Sequence, residues 1–359
     1  MNSYTKGYSG GDICLIELLK RMVTLRRVVI TSGLGKKLCL DNGLEAEYLL
    51  TTVERRFINL IGTYMLRIIR SFFLKLKITG EDILYASSDF LTDVIPVFFR
   101  KKRRPEAKWA QKVFHIIPAS RPIPHYAQKI SFFLIRRMAD IIIVDNSILK
   151  EELIRRNFPA DKIRLNYPGI DLDKYPVPSD KRRDMRAVFL GRFHYSKGLF
   201  ELVEIWQIVC RKIPQAKLTI IGGGNEPLRS KLTKKINRSG MNDNIILTGR
   251  IDKEKIIEAM SFNRVFVFPS HEEGFGIAIA EAMACGLAVV AWDLAVYKEI
   301  FGDFIIRVKE NDISSFAAKV IGLLEDENSR FQLSQQSREY VKRYSWDNAA
   351  KKELEFLSA

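Results

Sequence analysis

Two glutamates, Glu273 and Glu281, are separated by seven residues in the segment HEEGFGIAIAEAMACG, residues 271–286. The run RVFVFPS before them predicts a strand, GFG supplies flexible backbone, and the small residues of IAIAEAMA predict a helix. Glu273 is therefore expected in a loop and Glu281 inside the helix. A helix N-terminus favours phosphate, and carboxylates accept hydrogen bonds from hydroxyl groups. Hydroxyls beside phosphates are the chemistry of a nucleotide sugar.

A pair of basic residues is expected to supply the counter-charge for such phosphates. Arg192 and Lys197 occur in GRFHYSKG, after the strand run AVFLGRF and before a helical stretch. A guanidinium can bond a diphosphate through two parallel N–H groups, and an ammonium acts as a point charge. A structural alternative to ligand binding stays open for each of these residues, because a lone lysine, arginine or glutamate is also common on a solvated loop or helix surface.

The elements around these residues alternate between strands and helices. After residue 187 the strand runs AVFLGRF, KLTIIGGG, NIILTGR, RVFVFPS and LAVVAWD are separated by helical stretches such as LFELVEIWQIVCRKI. The first half has the strand candidates RVVITS, DILYAS, KVFHII and ADIIIVDN. Such alternation predicts parallel, doubly wound sheets, whose ligands bind at the carboxyl ends of the strands. A chain of 359 residues is longer than the usual limit for a single hydrophobic core. Two Rossmann-like domains facing a cleft are therefore expected.

Two motifs carry a resemblance to a known family. The string PSHEEGFGIAIAEAMACGLAVVA resembles the E-x7-E signature of retaining GT-B glycosyltransferases in family four, the glycosyl transferases of group 1. The G-R-x4-K-G pattern of GRFHYSKG is similar to the diphosphate-binding motif of the same family. The resemblance is strong from residue 187 to residue 346 and looser before. It implies the GT-B fold, an α/β architecture of two Rossmann-like, doubly wound domains that face a cleft.

The resemblance also implies which residues hold the donor. It assigns Glu281 to the ribose hydroxyls and Glu273 to hydroxyls of the transferred sugar. Arg192 and Lys197 would hold the diphosphate. His115 in VFHII corresponds to a family histidine near the reacting sugar, with a satisfied core histidine as the alternative. Glu273, Arg192, Lys197 and His115 form the implied catalytic set. The other implied donor contacts are Gly10, Gly11, Gly274, Phe275, Gly276, Ile277, Arg250 and Ile251.

The implied reaction is hexosyl transfer of the EC 2.4 class, with retention, from a UDP or GDP sugar to a hydroxyl in glycolipid, lipopolysaccharide or exopolysaccharide synthesis. No cofactor and no metal are expected, because Arg192, Lys197 and the helix dipole carry the charge stabilisation. The D-x-D of Asp171 and Asp173 is interpreted as linker and cap residues. The alternative function is a non-catalytic, nucleotide-binding GT-B relic. A dinucleotide-dependent oxidoreductase would need a G-x-G-x-x-G after an early strand, which neither half shows.

Three segments follow from these motifs. The N-terminal, acceptor-side domain is expected at 1–175, the donor domain at 176–345, and a helix crossing back to the N-terminal domain at 346–359. The proline-rich and charged stretch 166–184 predicts the interdomain linker. The family opens with an apolar strand before its glycine loop, but only MNSYTKGY precedes SGGD, so the first strand is expected to be missing or displaced. Either the chain begins at an internal methionine of a longer reading frame or this domain is incomplete.

The net charge of +16 lies mostly in the first half. Residues 1–175 have 30 basic against 18 acidic residues, a net +12, and the rest has 28 against 24, a net +4. No nucleic-acid recognition motif accompanies this charge. The basic, amphipathic stretch 55–78 predicts a helix that either packs its apolar face on the sheet or lies in a membrane interface, with 100–108 as a further anionic-lipid contact.

Cysteine usage and hydropathy predict the compartment. The four cysteines are far apart without a CxxC pair, which argues against zinc and against a disulfide scaffold. No secretory signal and no apolar span long enough for a bilayer occurs. A cytoplasmic protein is therefore expected, and the interfacial alternative puts it on the inner face of the cytoplasmic membrane.

Overall fold

The computed structural model describes residues 1, 10–53, 59–175, 185–224 and 226–359. The chain forms two compact units. The N-terminal unit comprises residues 1–169 and 346–359, and the C-terminal unit comprises residues 170–345. The boundary falls before Ile170 rather than after residue 175, because the Ile170 N–H donates to the Tyr344 carbonyl at 2.7 Å and Ile170 pairs with Ser345. Of the predicted linker, residues 176–184 lie outside the described residues.

The N-terminal unit alternates helices and strands along the chain. Its helices are α1 (Gly10–Arg21), α2 (Gly33–Asp41), α3 (Leu60–Phe72), α4 (Leu91–Arg103), α5 (Pro122–Met138) and α6 (Ser147–Arg155). Its strands are β1 (Val28–Thr31), β2 (Glu47–Leu50), β3 (Ile83–Ala86), β4 (Lys108–Val113), β5 (Ile141–Val144) and β6 (Ile163–Leu165). Strands β3 to β6 form one parallel sheet in sequence order, and β1 pairs with β2 in a second parallel sheet.

Two strands of this unit were not predicted, and one is displaced. Strands β2 (EYLL) and β6 (IRL) lack the run of β-branched residues that marks β1 (VVIT) and β5 (IIIV). Strand β4 starts earlier than predicted and ends at Val113, so His115 lies in the loop beyond it. The predicted absence of a first strand concerns residues 1–8, of which 2–8 lie outside the described part of the chain.

The C-terminal unit follows the same alternation. Its strands are β7 (Arg186–Leu190), β8 (Lys217–Ile221), β9 (Ile245–Gly249), β10 (Val265–Phe268), β11 (Ala288–Trp292) and β12 (Ile306–Val308). Its helices are α7 (Leu199–Lys212), α8 (Glu226–Arg238), α9 (Lys253–Ser261), α10 (Ile277–Ala284), α11 (Ala295–Phe301), α12 (Ile313–Glu325) and α13 (Glu327–Val341). The five strands predicted in this half are present, and the three-residue β12 was not predicted.

The strand order of the C-terminal unit fixes where a ligand can bind. The parallel sheet runs β12-β11-β10-β7-β8-β9, which is the doubly wound dinucleotide-fold order with β7 and β10 at its centre. The chain winds away from these two strands in opposite directions, so a crevice opens beyond their carboxyl ends. The predicted motifs follow these strands: GRFHYSKG continues β7, and PSHEEGFG continues β10.

The last helix, α14 (Trp346–Ser358), packs in the N-terminal unit beside α1. Its Glu353 is fully buried and forms an ion pair with Lys112 of β4 at 3.2 Å, where the two side chains are 0% and 3% exposed. The Asn166 amide donates to the same Glu353 Oε2 atom at 2.7 Å, and the Tyr85 hydroxyl donates to Oε1. The helix is therefore attached by a buried polar network.

Helix α3 has its polar side buried and its apolar side exposed. Thr63, Arg67 and Ser71 are buried, and Arg67, which is 0% exposed, donates to the Thr52 hydroxyl at 3.3 Å. Of the predicted amphipathic stretch 55–78, residues 55–58 lie outside the described residues. The alternative in which the apolar face packs on the sheet was wrong, because most of that face is exposed. The polar side of the helix packs against the polar residues Thr51 and Thr52, which follow β2. Within the described ranges, no helix is long and apolar enough to span a membrane.

Candidate functional site

The loops that follow β7 and β10 touch at a glycine. Gly198 has φ +65°, and a Cβ atom there would lie 2.0 Å from the Pro269 carbonyl oxygen, so only glycine fits this contact. The His271 N–H donates to the Ser196 carbonyl at 2.8 Å. These contacts bring Lys197, at the end of a short 3-10 turn, against the loop that carries Glu273.

Lys197 and Glu273 form an ion pair at the centre of this crevice. The Lys197 ammonium bonds the Glu273 Oε1 atom, and it also donates to the Glu272 carbonyl at 3.3 Å. The Ser270 hydroxyl donates to the same Glu273 oxygen at 3.0 Å. Both side chains of the pair are mostly buried. A cation is thus held at the carboxyl ends of the two central strands, beside a carboxylate with a second oxygen for hydroxyl donors.

The GFG turn presents backbone rather than side chains. The buried Phe275 ring packs on Phe301 at 5.9 Å and on Tyr344 at 5.2 Å between ring centroids. Gly276 has φ +93° and begins α10 without a side-chain cap, and Ile277 is the first helical residue. The side chain of Phe275 therefore anchors the turn, while backbone N–H groups at the start of α10 are positioned for an anion.

Glu281 lies inside α10 and is bonded by a tyrosine that the sequence analysis did not select. The Tyr175 hydroxyl donates to the Glu281 Oε1 atom at 2.7 Å, and Arg338 donates to the Tyr175 carbonyl at 2.8 Å. Burial raises the pKa of the Glu281 carboxyl, while the Tyr175 hydrogen bond and the charge of Lys253 partly oppose the rise. Hydroxyl donors from a ribose would favour the charged carboxylate further.

The remaining residues predicted in this unit lie on neighbouring strand ends. Arg192 is exposed after β7, with its Cγ atom 3.7 Å from the position of a Cβ on Gly224, beyond β8. Arg250 follows β9, and its backbone N lies 3.6 Å from a Cβ position on Gly223. Ile251 is half-buried next to it. The structure thus puts these residues at one edge of the sheet.

The predicted residues of the N-terminal unit are gathered around the end of β4. Gly10 opens α1, and a Cβ on Gly11 would lie 2.8 Å from the Phe114 ring, next to His115. The half-buried His115 is held by its carbonyl, which accepts from the Gln128 amide at 2.8 Å. The same amide donates to Asp89 at 2.6 Å. Burial raises the pKa of the Asp89 carboxyl, although this hydrogen bond and His115 partly oppose the rise.

Sequence reasoning missed Tyr175 and a buried polar cluster in the N-terminal unit. The cluster lies at the carboxyl ends of three strands and comprises Thr31, Ser32, Thr51, Thr52, Ser87, Ser88 and Asp89. Its signal was visible, because small polar residues follow the strands β1, β2 and β3 in the sequence. Tyr175 had no such signal, since its contact with Glu281 spans about a third of the chain.

The D-x-D segment makes local contacts. Asp171 precedes a 3-10 turn at Leu172–Lys174 and pairs with Lys174 in the same turn. All four cysteines are buried, and none of them forms a disulfide bond. In the described part of the chain, no group of three or more histidine, cysteine, aspartate or glutamate side chains is arranged to hold a metal ion.

Comparison with known sequences gives a family match that lies in the C-terminal unit. The family model of the glycosyl transferases group 1 matches residues 174–340. A D-inositol 3-phosphate glycosyltransferase of Xylanimonas cellulosilytica is 27% identical over 232 residues, which cover 59% of this chain and 55% of the relative. A GDP-mannose:cellobiosyl-diphosphopolyprenol alpha-mannosyltransferase of Xanthomonas campestris is 28% identical over 199 residues, or 54% of this chain and 52% of the relative. The chain spans about half the length of these curated relatives.

A solved structure extends the similarity to the whole chain. HepE of Anabaena, in complex with UDP and glucose, matches with a TM-score of 0.82 and 18% identity over 99% of this chain and 98% of HepE. At this identity the likeness shows the fold, and it confirms the predicted GT-B fold. Over residues 174–340, which lie in the C-terminal unit, the sequence matches the glycosyl transferases group 1 family, and this match confirms the predicted resemblance.

Proposed function

We propose that the protein is a retaining glycosyltransferase that moves a sugar from a nucleoside diphosphate sugar to an acceptor hydroxyl. One observation carries the proposal: at the centre of the doubly wound C-terminal sheet, Lys197 is paired with Glu273 beside the uncapped start of α10. Glu281, on the same helix, keeps an oxygen for ribose hydroxyls. The relatives named as glycosyl- and mannosyltransferases support the same reaction class.

The chemistry follows from where charge develops. The acceptor oxygen forms a bond to the anomeric carbon, the bond from that carbon to the diphosphate oxygen breaks, and the acceptor's proton passes to the departing phosphate. Lys197, Arg192 and the α10 amides stabilise the growing negative charge without a metal ion. Glu273 accepts hydrogen bonds from the sugar and fixes its orientation. Attack on the face from which the diphosphate leaves gives retention.

Donor binding tests this assignment directly. Titration calorimetry with UDP, GDP and ADP should reveal one tightly bound nucleotide for the wild-type chain. Glu281→Gln should lower its affinity about tenfold or more, because a carboxylate is a stronger acceptor for ribose hydroxyls than an amide. The exposed Glu325→Gln makes the same chemical change at the end of α12 and should bind normally. Equal affinity in all three proteins would contradict the assigned site.

Turnover separates the enzyme from the non-catalytic alternative. Wild-type protein with the matching UDP or GDP sugar should release nucleoside diphosphate, slowly to water and faster with an acceptor. An anomeric assignment of the product by NMR tests retention, and activity in the presence of a chelator tests metal independence. Tight nucleotide binding without any release of diphosphate would favour the relic.

Tyr175→Phe should weaken donor binding about tenfold and shift its pH dependence. Without the Tyr175 hydroxyl, the raised pKa of the Glu281 carboxyl rises further. Because the charged carboxylate binds the ribose, affinity is lost as pH falls through that pKa, and the variant should lose it at higher pH than the wild type. Calorimetry across acidic to neutral pH measures both effects. Tyr340→Phe removes a hydroxyl that donates to Ile300 and should leave the pH profile unchanged.

The acceptor and the location are further parts of the proposal. We propose that the acceptor is lipid-linked or polysaccharide and that the protein works at the inner face of the cytoplasmic membrane. The relative that acts on a cellobiosyl-diphosphopolyprenol supports a lipid-linked class. The half-buried His115, in the loop beyond β4, offers a polar partner for such an acceptor.

A further inference from the structure

We propose that the exposed face of α3 is a docking surface for an anionic lipid bilayer. This docking face comprises Ile61, Met65, Ile69, Phe72 and Phe73, which are exposed on one side of the helix or at its end. Phe73 is 80% exposed and Ile61 is 64% exposed. The inference rests on the proposed membrane-borne acceptor for its biological use, but the lipid contact itself requires neither donor nor acceptor.

The orientation of α3 is held by buried polar contacts. Asn59 caps the helix by accepting from the Gly62 N–H at 2.6 Å, and Thr63 donates to the Asn59 carbonyl. The fully buried Arg67 donates to Thr52, and burial lowers the pKa of this guanidinium to about 10 while the nearby Asp93 opposes the drop. Rotating the helix to hide its apolar side would place apolar residues against buried polar groups and leave those groups without hydrogen-bond partners. These buried polar contacts therefore keep the apolar side of α3 facing outward.

Neighbouring aromatic residues extend the docking face. Phe72 packs edge-on against Phe99 of α4, with ring centroids 5.3 Å apart, and Phe99 is itself exposed. The Arg100 side chain donates to the Ser71 carbonyl, which ties the C-terminal turns of α3 and α4 together. Helix α3 is about 20 Å long, which suits a helix lying in the plane of an interface.

Basic residues lie around this face, and their positive charge favours an anionic partner. Residues 59–80 contain four basic residues and no acidic residue. Of these, Arg70, Lys75 and Lys77 are exposed. Lys102 and Arg103 end α4 and Arg104 follows it, and all three are exposed. They are close in sequence to Arg100, which bonds Ser71 in α3. Apolar residues that enter the acyl region and cations at the headgroup level are the two attractions that hold an interfacial helix.

The same charges disfavour a second copy of the chain. A two-fold contact through the docking face would bring the basic residues of both copies together, which costs free energy through like-charge repulsion. An anionic headgroup layer instead pairs with them. The sign of the charge therefore favours a bilayer over a homodimer as the occupant of this face.

Vesicle flotation with the full chain tests the docking face. The wild type should float with vesicles of phosphatidylcholine mixed with phosphatidylglycerol and much less with phosphatidylcholine alone. The double variant Ile61→Ser with Phe73→Ser keeps the net charge, and it should lower the affinity for mixed vesicles about tenfold or more. The matched control, Phe262→Ser with Phe331→Ser, changes two comparably exposed residues in the C-terminal unit and should float like the wild type.

Several outcomes would overturn the inference. One is a wild type that stays in solution with mixed vesicles, and another is flotation of the docking-face variant at wild-type affinity. A wild-type dimer by light scattering that becomes a monomer in the variant, without lipid binding, would assign the face to a second copy. Nucleotide affinity, measured without vesicles, checks that both variants are folded. That control also separates a failure of the docking face from a failure of the proposed glycosyl transfer.

Discussion

Lys197→Ala is expected to lower the turnover number for sugar transfer by about 100- to 1000-fold, the range for loss of one preorganised donor to a developing negative charge. The ammonium is held against Glu273 and the Glu272 carbonyl at the ends of the two central strands. A donor diphosphate at this edge would meet a cation already in position. Because the charge on the leaving diphosphate grows in the transition state, kcat should fall more than KM rises.

Steady-state kinetics with the donor identified by calorimetry measure this effect. Lys197→Arg should recover part of the activity, since a guanidinium restores the charge without the ammonium's position. Lys234→Ala removes an exposed ammonium from α8 and serves as the matched control with unchanged kcat. A Lys197→Ala enzyme with wild-type kcat would show that this lysine does not stabilise the leaving group.

Glu353→Ala is expected to lower the free energy of unfolding of the N-terminal unit by about 3–5 kcal/mol, the cost of leaving a buried charge without its partner. Lys112 would lose the carboxylate that it contacts at 3.2 Å, and Asn166 and Tyr85 would each lose an acceptor. Hydrogen exchange of the β4 and β5 amides during urea unfolding reports this unit separately from the C-terminal unit.

Two further variants define the cause. Lys112→Met combined with Glu353→Met removes both charges and should restore most of the lost stability, because the penalty comes from the unpaired ion rather than from the loss of the pair. Glu339→Ala breaks a surface pair with Lys342 and should cost less than about 1 kcal/mol. A Glu353→Ala protein as stable as the Glu339→Ala protein would show that α14 is held by apolar packing alone.

The strands and the candidate site of the C-terminal unit could be predicted from the sequence, because short runs of consecutive residues mark them. Strand runs, the GFG turn and the helix at Ile277–Ala284 are read from consecutive residues, and the sheet order then brings Lys197 and Glu273 together. The Tyr175–Glu281 bond and the Lys112–Glu353 pair join distant segments. No period or spacing marks such contacts, so they could not be predicted.

Helix α3 shows a different limit of pattern reasoning. Its apolar and polar sides were recognised, but the pattern left open whether the apolar side packs on the protein or faces outward, and in the structure it faces outward. The deciding factor was the polar character of the segment after β2, where Thr52 and Thr51 accept hydrogen bonds from Arg67 and Arg70 of the helix. A helical wheel shows which residues share one face of a helix, but it does not show which element that face packs against.

The pairing of Ile170 with Ser345 has a consequence for engineering the protein. The C-terminal unit is a continuous insertion whose two ends are adjacent, whereas the N-terminal unit is assembled from both chain termini. The insertion is therefore suited to excision or circular permutation through a short loop joining residues 170 and 345. The host, in contrast, needs residues 346–359 grafted behind residue 169, since a fragment ending at 169 would lack Glu353 and leave Lys112 without its counter-ion.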